Sequence, residues 1–264
     1  MRLGDYDFDE FDFTHDGKTR KVFRRGTGPG IVIMHEIPGI TPEVARFAGL
    51  VAEEGFTIFM PVMFGTPGKP KSAAYVLREL ARVCVSKEFN CLAERESSPI
   101  TEWLRALCRE AFKQCGGPGV GAIGMCVTGG FALSLMVDEF VMAPVLSQPS
   151  LPLTNFSSER KAALGISDEE LQIVKRRAQA GCKLLGLRFT SDTKCPPERF
   201  RTLERELGPT GFEGIEIDSS KGNPYHIKED AHSVLTTELV LEDGHPTKKA
   251  LDRVLELFRS RLLT

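Results

Sequence analysis

Cys126 sits between an apolar run and a helical pattern. Residues 120–125, Val-Gly-Ala-Ile-Gly-Met, read as a buried strand, and Val127-Thr-Gly-Gly130 is a turn-tolerant stretch. Phe131-Ala-Leu-Ser-Leu-Met136 then begins a helix. Strand, sharp turn and helix with a reactive atom at the apex is the nucleophile-elbow arrangement, here carrying sulfur in place of the usual serine oxygen. Glycine at 124 and 129 lets the two backbones pass close together, where a side chain would push them apart. A thiol at the N-terminus of the following helix has its thiolate favoured by the helix dipole. A buried cysteine before an ordinary strand-to-helix turn would give the same local pattern. The chemistry therefore depends on what else reaches the same edge of the sheet.

Four groups are candidates for that edge, where the strands of an open α/β sheet end and ligands bind. His35-Glu36-Ile37 follow the apolar run 31–34, Cys126 follows 120–125, Asp192 follows 184–189, and His232 follows 212–217 after a loop. His35 reads as a structural strand-end residue. Glu36 reads equally as a loop carboxylate, and Asp192, between Ser191 and Thr193, as a turn or N-cap residue. His226 competes with His232 for the histidine role. His15 and His245 lie beside Asp16 and Gly244 and read as solvated turn residues.

The elements that must position these groups follow from periodicity. Residues 1–25 alternate and turn at Asp16-Gly17, which predicts a β-ribbon. Residues 31–35 and 56–60 are continuous apolar runs of the kind found in strands buried on both faces, the second stopped by Pro61. Thr41-Pro42 opens a helix with the stripe Val44, Phe47, Ala48, Val51 and Ala52, closed by Gly55. Residues 62–72 read as a Gly/Pro/Lys surface loop. Helical patterns cover 73–83 and 100–114. Residues 144–149 read as a strand end and loop. Residues 150–180 lack strand character, hold a helix start at Ser167, and form a possible excursion over the active site. Pro196-Pro197 opens a helix to Leu207, ended by Gly208. The last helix spans 247–263, with Leu251, Val254, Leu255 and Phe258 on one face. Strand and helix alternate almost throughout, which predicts an α/β fold: one domain over 1–264, a mostly parallel central sheet with helices on both faces.

Composition narrows the function classes. The chain has 264 residues and a net charge of -2, with Lys and Arg spread along it, which argues against nucleic acid as a partner. No apolar run approaches the ~18 residues of a membrane span, so no membrane partner is expected. Seven cysteines is an odd number, and no secretory apolar segment opens the chain, which predicts reduced thiols and a cytoplasmic location. In that setting the sequon at Asn155 reads as chance. Cys84 and Cys91, and Cys108 and Cys115, are spaced to share helix faces, which packing explains. No Cys-x-x-Cys occurs, so neither a metal nor a cofactor is expected.

Read together, the pieces 31–39, 53–61, Gly124-Met-Cys126-Val-Thr-Gly-Gly130, Asp192 after its strand and Ala231-His-Ser233 make the chain resemble the dienelactone hydrolase family of α/β-hydrolases. The order nucleophile, acid, histidine agrees with that fold. The resemblance implies a Cys126–His232–Asp192 triad, favours His232 over His226, and implies that Glu36 contacts the resting thiol. By position, the backbone N–H groups of Ile37 and Val127 would form the oxyanion hole. The chain departs from the family pattern twice. Thr128 stands where the family has glycine, and a β-branched residue there would crowd the elbow. No arginine follows His232, where Ser233-Val-Leu-Thr236 stands, which argues against dienelactone itself as substrate.

The leading expectation is a hydrolase acting on a small-molecule ester, lactone or thioester through a cysteine acyl-enzyme, its oligomeric state open. A non-catalytic protein of the same fold that binds a ligand or partner is the rival, and Thr128 is its support. A redox thiol protein would need a second cysteine beside Cys126.

Overall fold

A computed structural model describes residues 7–89, 97–152 and 157–263. The chain opens with an antiparallel hairpin, β1 (Asp9–His15) and β2 (Lys18–Arg25). Asp16 and Gly17 turn it with φ of 47° and 70°, the left-handed backbone that a two-residue hairpin loop needs. There follow β3 (Gly30–Met34), α1 (Pro42–Glu53), β4 (Thr57–Pro61), α2 (Ala73–Val85), α3 (Ile100–Cys115), β5 (Val120–Met125), α4 (Gly129–Leu135) and β6 (Val141–Ser147). The second half holds α5 (Ser158–Ala162), α6 (Asp168–Gln179), β7 (Leu184–Phe189), α7 (Pro197–Gly211), β8 (Phe212–Ile217) and α8 (Pro246–Leu262).

The eight strands form one sheet in the order β1-β2-β4-β3-β5-β6-β7-β8. The hairpin joins antiparallel to β4, and every neighbouring pair from β4 through β8 is parallel. After β3 the chain steps outward to β4 and then returns to the other side of β3 for β5. The strand order therefore reverses between β3 and β5, and the crevice above such a reversal is where α/β sheets place ligands. Glu36 and Ile37 follow β3, and Cys126 follows β5, so these residues flank it.

Alternate residues of each strand feed two cores. Ile31 and Ile33 of β3 pack with Phe47, Phe56 and Phe258 beneath α1 and α8. Val32 and Met34 face Trp103, Leu104 and Leu107 of α3 on the other side. Each such side chain, once buried, contributes roughly 1.5–3 kcal/mol. A sheet covered on both faces leaves only its strand ends open for chemistry.

The expected elements form, with shifted ends. Pro61 does not stop β4 short but is its last residue, opposite Val22. β6 runs from Val141 to Ser147, so the strand end expected in 144–149 closes a strand that begins at Val141. Gly208 breaks the helical course of α7 with a φ of 69°. Within 150–180 the described residues carry α5 and α6 and no strand, as expected. No helix among the described residues is long and apolar enough to cross a membrane. The Asn155 sequon and Cys91 lie outside the described residues.

Candidate active site

Cys126 has a φ of 56°. A non-glycine residue in the left-handed region costs on the order of 1–3 kcal/mol and persists only where its surroundings enforce it. The enforcing contacts are close. A Cβ at Gly124 would sit 2.1 Å from the Thr128 carbonyl oxygen, and one at Gly129 would sit 2.6 Å from the Pro149 Cα. Residues 126–128 form a single 3₁₀ turn leading into α4. Thr128 does not crowd this turn. Its hydroxyl accepts from the Met125 N–H and is shared between the carbonyls of Met34 and Met125, each contact 2.9 Å. The side chain braces the elbow against β3, so its volume is used where glycine would leave a gap.

Asp192 and His232 meet at the same edge. Asp192 leaves the turn after β7, nearly fully buried, and its Oδ2 accepts from His232 Nδ1 at 2.6 Å. Its Oδ1 accepts from the Lys194 N–H at 2.9 Å. Burial pushes the Asp192 carboxyl up, but its hydrogen bond and attraction to His232, with help from Lys194, hold it below the usual carboxylate range. His232 hangs in the segment 218–245 between β8 and α8. Burial disfavours its cation. The negative charge of a Cys126 thiolate beside it and the Asp192 hydrogen bond outweigh that effect and raise its pKa to about 10. Its Nε2 is buried without a well-formed hydrogen bond, although Cys126 is close enough for the two charges to couple strongly.

The other histidines fall elsewhere. His226 is exposed, with a φ of 54°. His15 is exposed as expected, whereas His245 is half-buried and caps α8, its Nδ1 accepting from the Thr247 N–H. His35 is fully buried. Met63 N–H donates to its Nε2 at 3.1 Å, so its Nδ1 carries the proton and donates to the Glu36 carbonyl, also at 3.1 Å. Its ring packs on Phe64, the centroids 4.5 Å apart.

That environment makes His35 an acid-sensitive strut. Burial, reinforced by Arg20 and opposed by the Glu36 carbonyl, lowers its pKa to about 4. The unfolded chain protonates this histidine near pH 6.5. Stability is therefore full above that pH and falls as the pH drops towards 4, by up to roughly 3 kcal/mol. His35→Gln removes the titration, so its stability deficit relative to the parent shrinks as pH falls from 7.5 to 4.5. Urea unfolding across that range measures this, and a deficit independent of pH refutes the assignment.

Glu36 does not hydrogen-bond the thiol in this state. Its carboxylate is buried and receives Ser233 Oγ at 2.7 Å, Gln148 Nε2 at 3.2 Å and Thr236 Oγ1. Gln148 and these two hydroxyls were missed by sequence reasoning. The one local cue was that Ser147-Gln148 closes an apolar strand with two polar residues. Ile37 and Val127 are buried, and among the described residues the Ile37 N–H has no backbone acceptor. No group of three or more potential metal ligands occurs among the described residues. A shallow cleft of about 280 Å³ adjoins Asp192 and Lys194. A larger one of about 490 Å³ lies among α5, α6 and α7 and includes no member of the proposed triad.

The chain as a whole is similar to known proteins. The profile of the dienelactone hydrolase family matches residues 19–170. A Saccharomyces cerevisiae protein provisionally named a carboxymethylenebutenolidase is 25% identical over 193 residues, 72% of this chain and 67% of the yeast protein. The crystal structure of a provisionally assigned dienelactone hydrolase from Klebsiella pneumoniae superposes with a TM-score of 0.65 at 15% identity, covering 95% of this chain and 97% of that one. An esterase from Pyrococcus furiosus superposes with a TM-score of 0.58 at 14% identity, covering 99% and 96%. These two structures share the α/β-hydrolase fold with this chain.

Proposed function

Because the chain belongs to the dienelactone hydrolase family of hydrolases, we propose that it cleaves a small-molecule ester, lactone or thioester through a Cys126–His232–Asp192 triad and a cysteine acyl-enzyme. The observation that carries this reading is the buried Asp192–His232 pair coupled to a cysteine held at a left-handed turn. In the first step the thiolate adds to the acyl carbon, and the carbonyl oxygen takes up the electron pair. The N–H groups of Ile37 and Val127 receive that oxyanion, worth about 3 kcal/mol per donor in comparable sites. The tetrahedral adduct collapses, the bond to the leaving group breaks, and His232 Nε2 gives the leaving group its proton. Neutral His232 then takes a proton from water, the hydroxide adds to the thioester, and the thiolate departs with the product acid released. Asp192 fixes the ring and stabilises its cation throughout.

Thr128 no longer favours a non-catalytic role, since the elbow uses it as a brace. The redox alternative is weakened too. Cys195, which feels the charge of Cys126, is fully buried, and burial pushes its thiol up to about 12. So little of it is thiolate at neutral pH that it makes a poor resolving partner.

The test is trapping. Brief incubation with 4-nitrophenyl acetate at mildly acidic pH, followed by peptide mass spectrometry, is expected to place an acetyl group on Cys126. Turnover with the acyl group on another residue, or with none detectable under any quench, counts against the cysteine acyl-enzyme.

A further inference from the structure

The residues around Glu36 form a closed buried network that the triad itself does not explain. Glu36, Gln148, Ser233 and Thr236 are 4%, 0%, 1% and 3% exposed. They come from three separate strand-end segments: the one after β3, the one after β6, and the segment 218–245 that carries His232. Glu36 accepts from Ser233 and Thr236, so its two oxygens hold the residue next to the histidine and another one turn further on. The Gln148 amide faces both ways. Its Nε2 donates to Glu36 at 3.2 Å, and its Oε1 accepts the Val234 backbone N–H at 3.3 Å and the Ser147 hydroxyl.

Gln148 is itself fixed to the sheet. Its N–H donates to the Leu187 carbonyl at 2.7 Å, and its own carbonyl accepts from Ser150 Oγ at 3.0 Å. The next link reaches the nucleophile, because Ser150 N–H donates to the Cys126 carbonyl at 2.9 Å. Gln148 also has a φ of 35°, a strained value for a residue with a Cβ. Strain of this kind persists where a required side-chain placement enforces it.

We propose that Glu36 and Gln148 are positioning residues, a buried carboxylate–amide clasp that holds the His232 loop in register with the elbow of Cys126. The proposal deepens the triad reading and rests on it. The physical need is plain. His232 sits in a long segment without helix or strand, and such a segment holds a catalytic geometry only if something anchors it. Hydrogen bonds to a buried carboxylate are stronger than neutral ones, and a buried polar network is rigid when every member is satisfied. Glu36 also stands one residue before the oxyanion donor Ile37, so one clasp sets the histidine and the oxyanion site against each other.

The decisive experiment is a reciprocal exchange. Gln148→Glu alone puts two carboxyl groups face to face, and Glu36→Gln alone puts two amides there. Combining the two changes restores one carboxylate and one amide, and the Ser233 and Thr236 hydroxyls can turn to suit either arrangement. With 4-nitrophenyl acetate as probe, each single change is expected to lower kcat by about 10–100-fold, the range that losing a hydrogen-bond partner of a ligating residue costs in metal sites, with KM moving much less. Iodoacetamide labelling of Cys126 at neutral pH should slow in the singles, because the cation beside the thiolate is misplaced, and the pKa of His232, followed by NMR, should fall. The double variant should recover most of each loss. Thr236→Val, which keeps the side-chain shape, should show a smaller loss of the same kind and serves if a single exchange fails to fold. The proposal is overturned if the double variant is no better than the singles, if the singles match the parent, or if Glu36→Gln accelerates labelling, as a carboxylate that suppresses the thiolate would require. Activity retained by Cys126→Ala would refute the triad instead, while the labelling and titration of the clasp variants still report on the clasp.

Discussion

Cys126→Ala is expected to abolish acyl hydrolysis and leave the fold standing. Removal of a covalent nucleophile costs on the order of 10⁴–10⁶-fold in kcat, with the remainder supplied by binding and the oxyanion donors. The change deletes one sulfur from a half-buried site and little core volume, so far-UV circular dichroism should be unchanged. Cys126→Ser should also be weak, since a hydroxyl is a far poorer acid than a thiol and gives little of the anionic nucleophile. A companion substitution reports on the backbone. Cys126→Gly frees the left-handed φ of 56°, so it should be inactive yet melt a few degrees above Cys126→Ala, the shift that about 1 kcal/mol produces in a chain of this size. Substantial activity in the alanine variant would show that the nucleophile lies elsewhere.

His232→Ala and Asp192→Asn are expected to impair kcat severely, the second by roughly 10³–10⁴-fold because the amide favours the wrong histidine tautomer. His226→Ala should be mild, since that ring is exposed. The triad acts as a unit, so His232→Ala added to Cys126→Ala should cost little more. Titration gives a second reading of the same pair. The pKa of His232 near 10 depends in part on the charge of Cys126, so in Cys126→Ala it should move down. Because the folded pKa lies above the unfolded value of about 6.5, the stabilisation from this histidine is complete below about pH 6.5 and is lost as the pH rises through 10. Removing the thiolate should therefore narrow that alkaline window. A His232 resonance that titrates identically in both proteins would show that no ion pair exists, and a larger loss in His226→Ala than in His232→Ala would exchange the two histidines.

Much of this was written locally in the chain. The elbow was legible because an apolar strand, a turn-tolerant stretch and a helix start are adjacent in sequence, and the required close approaches leave glycine at 124 and 129. The hairpin was legible from Asp16-Gly17, and α1 from Thr41-Pro42, for the same reason: caps and turns depend on neighbouring residues. Candidate status for Asp192 and His232 came from their place after strands. Preference for His232 over His226 came from resemblance, since no local pattern separates two histidines in one irregular segment. Ends were less secure. Pro61 closes β4 from within, and His245 caps a helix, because both depend on what packs against them.

The sequence by itself determined the alternation of strand and helix, the two-faced burial of the sheet and the place of a cysteine at the strand–helix turn, because each is encoded by periods and contacts a few residues long. Only the tertiary structure decided the work of the polar residues. Thr128 looked like an obstruction until its hydroxyl was seen bonded to Met34 across 94 positions. Glu36 was expected against the thiol, and its carboxylate instead meets Gln148, Ser233 and Thr236, which lie 112, 197 and 200 positions away. A buried carboxylate must find hydrogen-bond donors, but the sequence does not say which ones. That choice is made when β3, β5 and β6 line up and the segment after β8 folds back over their ends, and it depends on the order of strands in space, which the order of strands in the chain leaves open.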